Sequence, residues 1–496
     1  MTCLLVIGVG PRPGPGQTHV YAPGLRLHTV AGELIRAGHQ VHAAECLFGG
    51  RDEQSVGQPF PGAASHTALP GGIAAMTSAI SRLCHEHAPQ AIVALTDGVA
   101  LAAARAEYDG PLYIDYNGHP MAERQMQGAI HGNNDALASQ WEYVLPVLLR
   151  ADRFATCSGA QRLALIGELG AAGRIGAETC GHELVDVLRP PLPFEEEFRL
   201  SEPGRLRGGW VPADSRVILF TGGYNTWLDE ALLFAAVERV LAADPKAVYV
   251  STGGGIDGHV TEVFARFRAR TESSPHRDRY RFVGWLDHEA YVDCCLEADV
   301  GVMTDRWTLE GELGCRNRLY GWLWGGMRAV ATDLAEIVHR ELGPLGLVKG
   351  TPTGDVDAYA AALAGELEAG RFGDDEAARR RELLRTHCSP KAYYQPLLDW
   401  ATSPEKAPDR SSGMRPGNPL SDWMAFVDRL GVPGVPGAGA DELRIFLDRL
   451  AGSRAFQLYL KTNPDLAAQF ERVRSCVTGS PEKPTNESQK AEDRGI

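Results

Sequence analysis

Residues 309–333 read L-E-G-E-L-G-C-R-N-R-L-Y-G-W-L-W-G-G-M-R-A-V-A-T-D, and the order of residue types in this stretch decides the fold. An acidic pair, Glu310 and Glu312, is followed by Arg316, Asn317 and Arg318, all ahead of an apolar helical run that stops at Gly325-Gly326. A short strand, 329–332, comes next. A strand entered from a glycine-terminated helix is the αβ half of a βαβ unit. Helix N-termini in such units present unpaired N–H groups and a positive dipole end, which suits an anion. Carboxylates and guanidinium groups crowded there fit a site that grips sugar hydroxyls and a phosphate.

The same rhythm extends in both directions. Upstream, strands are expected at 217–220, 247–250, 281–283 and 300–303. Two glycine-rich loops, T-G-G-Y-N-T-W-L-D at 221–229 and S-T-G-G-G-I-D-G at 251–258, follow the first two of these. Nearer the N-terminus, strands at 3–9, 40–44, 91–95, 112–115 and 153–157 alternate with helical patterns. One of these is the helix 25–37, with Leu27, Val30 and Leu34 on one face and Gly38 placed to cap it. Short apolar strands separated by helices predict doubly wound parallel sheets. The proline-bearing segment 189–215 divides them, so two α/β domains facing across a cleft are expected, at 1–195 and 196–385. An aromatic closing helix at 386–402, a small helical module at 403–478 and a disordered tail at 479–496 complete the chain. The module's helices are expected at 422–430, 441–450, 454–459 and 465–477, as a docking or oligomer element.

Polar residues just beyond the carboxyl ends of parallel strands are the expected place for a ligand. D-Y-N-G-H-P-M-A-E-R-Q at 115–125 is such a segment. In it His119 suits a sugar hydroxyl or a developing charge, the alternative being a solvated loop histidine. Asp115 is either a ligand group or a turn former or cap. Aspartates in the D-x-D of Asp355 and Asp357, ahead of an alanine-rich helix, read as caps and not as a metal clamp.

Composition narrows the function. At 496 residues the chain exceeds a single core. A net charge of −14 with no basic block argues against nucleic-acid binding. Ten cysteines without C-x-x-C spacing predict neither a metal cluster nor a disulfide framework, and point to a reducing cytoplasm. The apolar opening M-T-C-L-L-V-I-G-V-G reads as a buried strand, and no run reaches the roughly 18 apolar residues of a membrane helix.

Taken in order, the motifs from about residue 4 to 400 resemble family 4 glycosyltransferases of the GT-B fold. The segments at 24–41, 151–158, 282–291, 297–302 and 317–332 carry the resemblance. A bacterial subgroup pattern is similar to Asp115, Pro120 and Glu123; then Gly222, Gly223, Trp227 and Asp229; then Glu310, Arg316 and Arg318. The resemblance implies transfer of a sugar, with retention, from a nucleotide diphosphate donor to an acceptor it does not identify. Arginine and backbone N–H groups would stabilise the diphosphate, with no metal and no cofactor.

On that reading His119, Asp115 and Glu310 are the catalytic residues. Gly222, Gly223, Gly254, Glu312, Arg316, Asn317 and Arg318 bind the donor. Three features depart from the pattern: Gly321 stands where the family has its second acidic residue, and Arg328 where it has a proline. The arginine and lysine pair after the first strand of the second domain is also missing. Arg328 is read as solvated in preference to a phosphate contact. The departures leave a second reading, a catalytically weakened relative acting as a scaffold. A dinucleotide-dependent oxidoreductase would require G-x-G-x-x-G with an acidic residue about 20 positions later, which the sequence lacks.

Overall fold

The computed structural model describes residues 1–13, 20–47, 59–194, 196–256 and 260–411, with isolated helical positions 447, 448, 451, 467, 470, 471, 474 and 475. The apolar segments form two sheets in which every strand pair is parallel. The first contains β1 (Cys3–Gly10), β2 (Gln40–Leu47), β3 (Ser65–Ala68), β4 (Ala91–Leu95), β5 (Leu112–Asp115), β6 (Arg153–Thr156) and β7 (Val185–Val187), in the order β3-β2-β1-β4-β5-β6-β7. The second contains β8 (Arg216–Thr221), β9 (Ala247–Thr252), β10 (Tyr280–Gly284), β11 (Val300–Met303), β12 (Arg328–Thr332) and β13 (Lys349–Thr351), in the order β10-β9-β8-β11-β12-β13. Both sheets are doubly wound, as the alternating pattern predicts. The central strands lie where the sequence puts them; three edge strands, β3, β7 and β13, were not anticipated. Their residues, S-H-T-A, V-D-V and K-G-T, carry little apolar signal, and a neighbouring strand supplies what their own propensity does not.

Local chemistry sets the helix starts. The side chains of Asp229, Asp287 and Asp355 accept from the backbone N–H groups of Leu232, Ala290 and Ala358 at 2.9, 2.8 and 2.9 Å. Asp355 is therefore a cap, as its position predicts. The aromatic helix under the second sheet, Arg318–Trp324, is buried along its length from Leu319 onward. The polar tips of its aromatic residues are satisfied: Tyr320 donates to the Pro190 carbonyl at 2.8 Å, Trp322 to Thr221 Oγ1 at 3.1 Å and Trp324 to the Glu196 carbonyl at 2.8 Å.

The helix Pro390–Thr402 returns to the first sheet, where Tyr394, Leu397 and Trp400 join a core with Leu4, Val30 and Tyr113. It is locked there by Arg26, from the helix Ala22–Arg36. This buried guanidinium pairs with Asp115 at 2.6 Å and donates to the carbonyls of Leu188 (2.6 Å) and Arg189 (3.1 Å) and to the Tyr394 hydroxyl (3.1 Å). One side chain thus fastens the first sheet, the inter-sheet segment and the closing helix. Burial alone would lower its pKa, but the Asp115 charge outweighs that and raises it.

The compact unit holding both sheets spans Met1–Gly170 and Ala177–Gly413, beyond the closing helix. Ala407 N–H and the Arg410 guanidinium both reach Asp152, each at 2.9 Å. A second unit comprises Ala171–Gly176 and Met414–Ile496. Within it Arg474 pairs with Asp448 at 3.1 Å. Apart from the isolated positions named above, the helices expected after residue 421 and the tail at 479–496 lie outside the described residues. Among the described residues no helix is long and apolar enough to cross a membrane.

Removing one partner of a buried ion pair leaves the other charge stranded, which costs about 3–5 kcal/mol. Arg26→Met is therefore expected to lower unfolding free energy by about that amount in urea titrations. A loss below about 1 kcal/mol would show that the network does not hold the closing helix.

Candidate functional site

A cavity of 1570 Å³ opens between the two sheets. It is lined at the carboxyl ends of the strands: Gly10 ends β1, Asp97 follows β4, Tyr116 follows β5, Gly222 follows β8 and Gly253 follows β9. This is where strand order reverses in doubly wound sheets and where crevices form. Two backbone positions shape its rim. Thr96, a β-branched residue, is held at φ 76° and ψ 159°, a region otherwise nearly confined to glycine, and it brings Asp97 to the wall. Gly253 has φ +98°, and a Cβ there would stand 2.3 Å from the Gly222 carbonyl oxygen, so no other residue fits.

The stretch that decides the fold also builds the second-lobe wall. Glu310 sits in the short helix Leu309–Leu313, 3% exposed, its Oε2 shielded and without a hydrogen-bond partner. Burial, reinforced by Glu123, pushes its pKa well above the carboxylate range, so the protonated form is favoured. Arg316 is anchored to the buried Asp305 at 2.8 Å, donates to the carbonyls of Cys315 and Gly311, and lies 4.7 Å over the Trp227 ring. Arg318 donates to the Gly223 carbonyl at 2.9 Å and lies 4.5 Å over Phe220. Its Nη1 is fully shielded with no hydrogen-bond partner, and burial lowers its pKa to about 10. Among the described residues no carboxylate pairs with it. Asn317, between the two arginines, also has a shielded, unpartnered Oδ1.

Six of the ten residues read from the sequence therefore line one cavity: Gly222, Gly223, Glu310, Arg316, Asn317 and Arg318. The other four do not. Asp115, expected to face the reacting sugar, is fully buried, paired with Arg26, and accepts the Asn117 N–H at 3.0 Å. His119 caps the helix Pro120–His131, its Nδ1 accepting the Ala122 N–H at 3.2 Å, and its Nε2 lies 3.5 Å from Glu168. Burial drops its pKa to about 4, so it is neutral, and it does not line the cavity. Gly254 is buried beneath the wall, where its carbonyl accepts the Tyr224 N–H at 2.9 Å. Glu312 is exposed, because on a single helical turn it points opposite to Glu310.

Arg328 is neither a phosphate contact nor solvated. It pairs with Glu366 at 3.0 Å and stacks 4.1 Å over Phe372, away from the cavity. Sequence reasoning missed Asp97, Tyr116, Arg124 and Asp305 as wall or support residues. Asp97 and Asp305 each lie within two residues of the end of a recognised strand, which is the signal that would have found them.

Two parallel, Rossmann-like sheets across a ligand-sized cleft define the GT-B architecture. No protein-family model matches the chain, and no curated protein sequence matches it. Solved structures with the same fold include sucrose-phosphate synthase from Thermosynechococcus elongatus, with TM-score 0.59 and 15% identity over 81% of this chain and 98% of that one. Anabaena HepE, solved with UDP and glucose, gives TM-score 0.55 and 14% identity, covering 81% of this chain and all of the other (100%). Trehalose-6-phosphate synthase OtsA gives 0.58 and 12%, covering 82% and 100%. Coverage of nearly the whole of each neighbour places both sheets, not one, in the likeness.

At Gly321, where the resemblance expects an acidic residue, the space for a side chain is already filled. A Cβ at that position would lie 1.7 Å from the Tyr291 hydroxyl oxygen, so the cavity-lining tyrosine occupies the space a carboxylate would need. Gly321→Glu is expected to lower the melting temperature by several degrees, and Tyr291→Ala to restore much of that loss in the double variant. Equal melting temperatures for Gly321→Glu and the unaltered chain would refute the steric account.

Proposed function

We propose that this chain is a retaining, family 4-like glycosyltransferase that moves a sugar from a nucleotide diphosphate donor to an acceptor, with the leaving diphosphate met by guanidinium and backbone groups and no metal. The observation that carries the reading is Arg318, which lines the cavity beside Gly222-Gly223 with no carboxylate among the described residues paired to it and with Nη1 lacking a hydrogen-bond partner. A half-buried guanidinium with unused donors and no paired carboxylate is a ready partner for an anion. A diphosphate is a suitable anion, because its charge grows as the sugar leaves. Arg316, fixed by Asp305, supplies further donors beside it.

Glu310, favoured in its protonated form, serves as a hydrogen-bond partner for a donor-sugar hydroxyl. A front-face substitution with retention needs no protein nucleophile, consistent with the absence of Asp115 and His119 from the wall. Fold neighbours solved with UDP support a uridine donor as the first to test. The nine described cysteines are free thiols, which supports a cytoplasmic location. The C-terminal unit is proposed to mediate oligomer or partner contacts.

One observation favours a second reading, a related scaffold without turnover: Tyr291 fills the place of an acidic donor contact. Donor hydrolysis separates the two. With UDP-, GDP-, ADP- and TDP-sugars, at least one is expected to be hydrolysed or transferred. Glu310→Gln is expected to lower that rate about a hundredfold, or about 2.7 kcal/mol in barrier. Arg318→Ala is expected to abolish the thermal shift given by the matching nucleoside diphosphate. No turnover and no shift with any of the four would favour the scaffold.

A further inference from the structure

The donor reading leaves one wall of the cavity unexplained. Asp97 opens the helix Asp97–Arg105 directly after β4, accepting from Gln140 Nε2 at 3.0 Å and from the Gly98 N–H at 2.8 Å. Glu123, in the first turn of the helix Pro120–His131, lines the same wall, and Glu310 lines the cavity from the second lobe. Burial and then the Asp97 charge push Glu123 up to about 7. Arg316 is already committed to Asp305. Arg124 is held by the neutral side chains of Gln140 (2.8 Å) and Gln127 (2.6 Å); with Glu310 favoured in its protonated form, it offsets only one of the two acids Asp97 and Glu123.

A separate observation points the same way. Tyr116 lines this cavity and is 3% exposed, and its hydroxyl is shielded without a hydrogen-bond partner. Among the described residues no three His, Cys, Asp or Glu side chains converge to hold a metal ion. A phosphorylated ligand would be repelled by these acids, and a neutral polyol would leave them uncompensated.

We propose that the acceptor carries a protonated primary amine, as in an amino sugar or aminocyclitol, with its ammonium group between Asp97 and Glu123 and hydrogen-bonded to the Tyr116 hydroxyl. The inference rests on the transferase reading and deepens it by naming the acceptor class. It is tested on the full chain, saturated with whichever nucleoside diphosphate stabilises it, by measuring the binding of four saccharides at pH 7.5. These are glucosamine, N-acetylglucosamine, glucose and glucose 6-phosphate.

Glucosamine is expected to bind about tenfold or more tightly than the other three. That preference is expected to shrink to about twofold in Glu123→Gln and to weaken in Tyr116→Phe. Equal affinity for glucosamine and glucose in the unaltered chain, or tighter binding of glucose 6-phosphate, would overturn the proposal while leaving the donor reading intact. Failure of every nucleoside diphosphate to bind would instead remove the transferase reading, and the proposal with it.

Discussion

Arg318 carries a half-buried positive charge at the cavity with which no carboxylate among the described residues pairs. Its guanidinium is fixed by the Gly223 carbonyl on one side and the face of Phe220 on the other, and burial already draws its pKa down to about 10. Such a group is tolerated only where surrounding structure leaves it no alternative, and it gains most when an anion arrives. The neighbouring Arg316 shows the contrast. Its charge is answered by Asp305, so it is a fixed element of the wall, whereas Arg318 retains unused donor capacity.

The rest of the scaffold holds this cation in place. The helix Arg318–Trp324 is buried through Trp322 and Trp324 against the second sheet, so the arginine at its start has little freedom to swing away. The glycine loops after β8 and β9 bring main chain to the cavity at Gly222 and Gly253. The Arg26 network ties the helix Pro390–Thr402 to the first sheet. The first lobe in turn presents carboxylates, including one placed by the strained backbone at Thr96. The two walls thus differ: Arg318 awaits an anion on one, and Asp97 and Glu123 face the cavity on the other.

How far the sequence reveals this follows from the type of signal each residue gives. Central strands such as β4, β5 and β11 are continuous apolar runs bounded by polar residues, and their limits coincide with the expected 91–95, 112–115 and 300–303. The edge strands β3, β7 and β13 lack that signal. Glu310, Arg316 and Arg318 were legible because they sit at a recognisable helix entry. Asp115 and His119 were misplaced for different reasons. Asp115, at a strand's carboxyl end, turns inward to Arg26, which only the tertiary fold brings near, whereas His119 caps the helix beginning at Pro120 by accepting the N–H three residues on. The departure from the resemblance at Gly321 was visible, but the tyrosine thirty residues earlier that fills the space beside it was not.

The most direct measurement is an experimental structure of the full chain bound to a nucleoside diphosphate, UDP first. The account predicts the diphosphate against Gly222-Gly223, with a phosphate oxygen within about 3 Å of Arg318 Nη1. A diphosphate bound elsewhere, with Arg318 still lacking an anionic partner, would contradict it.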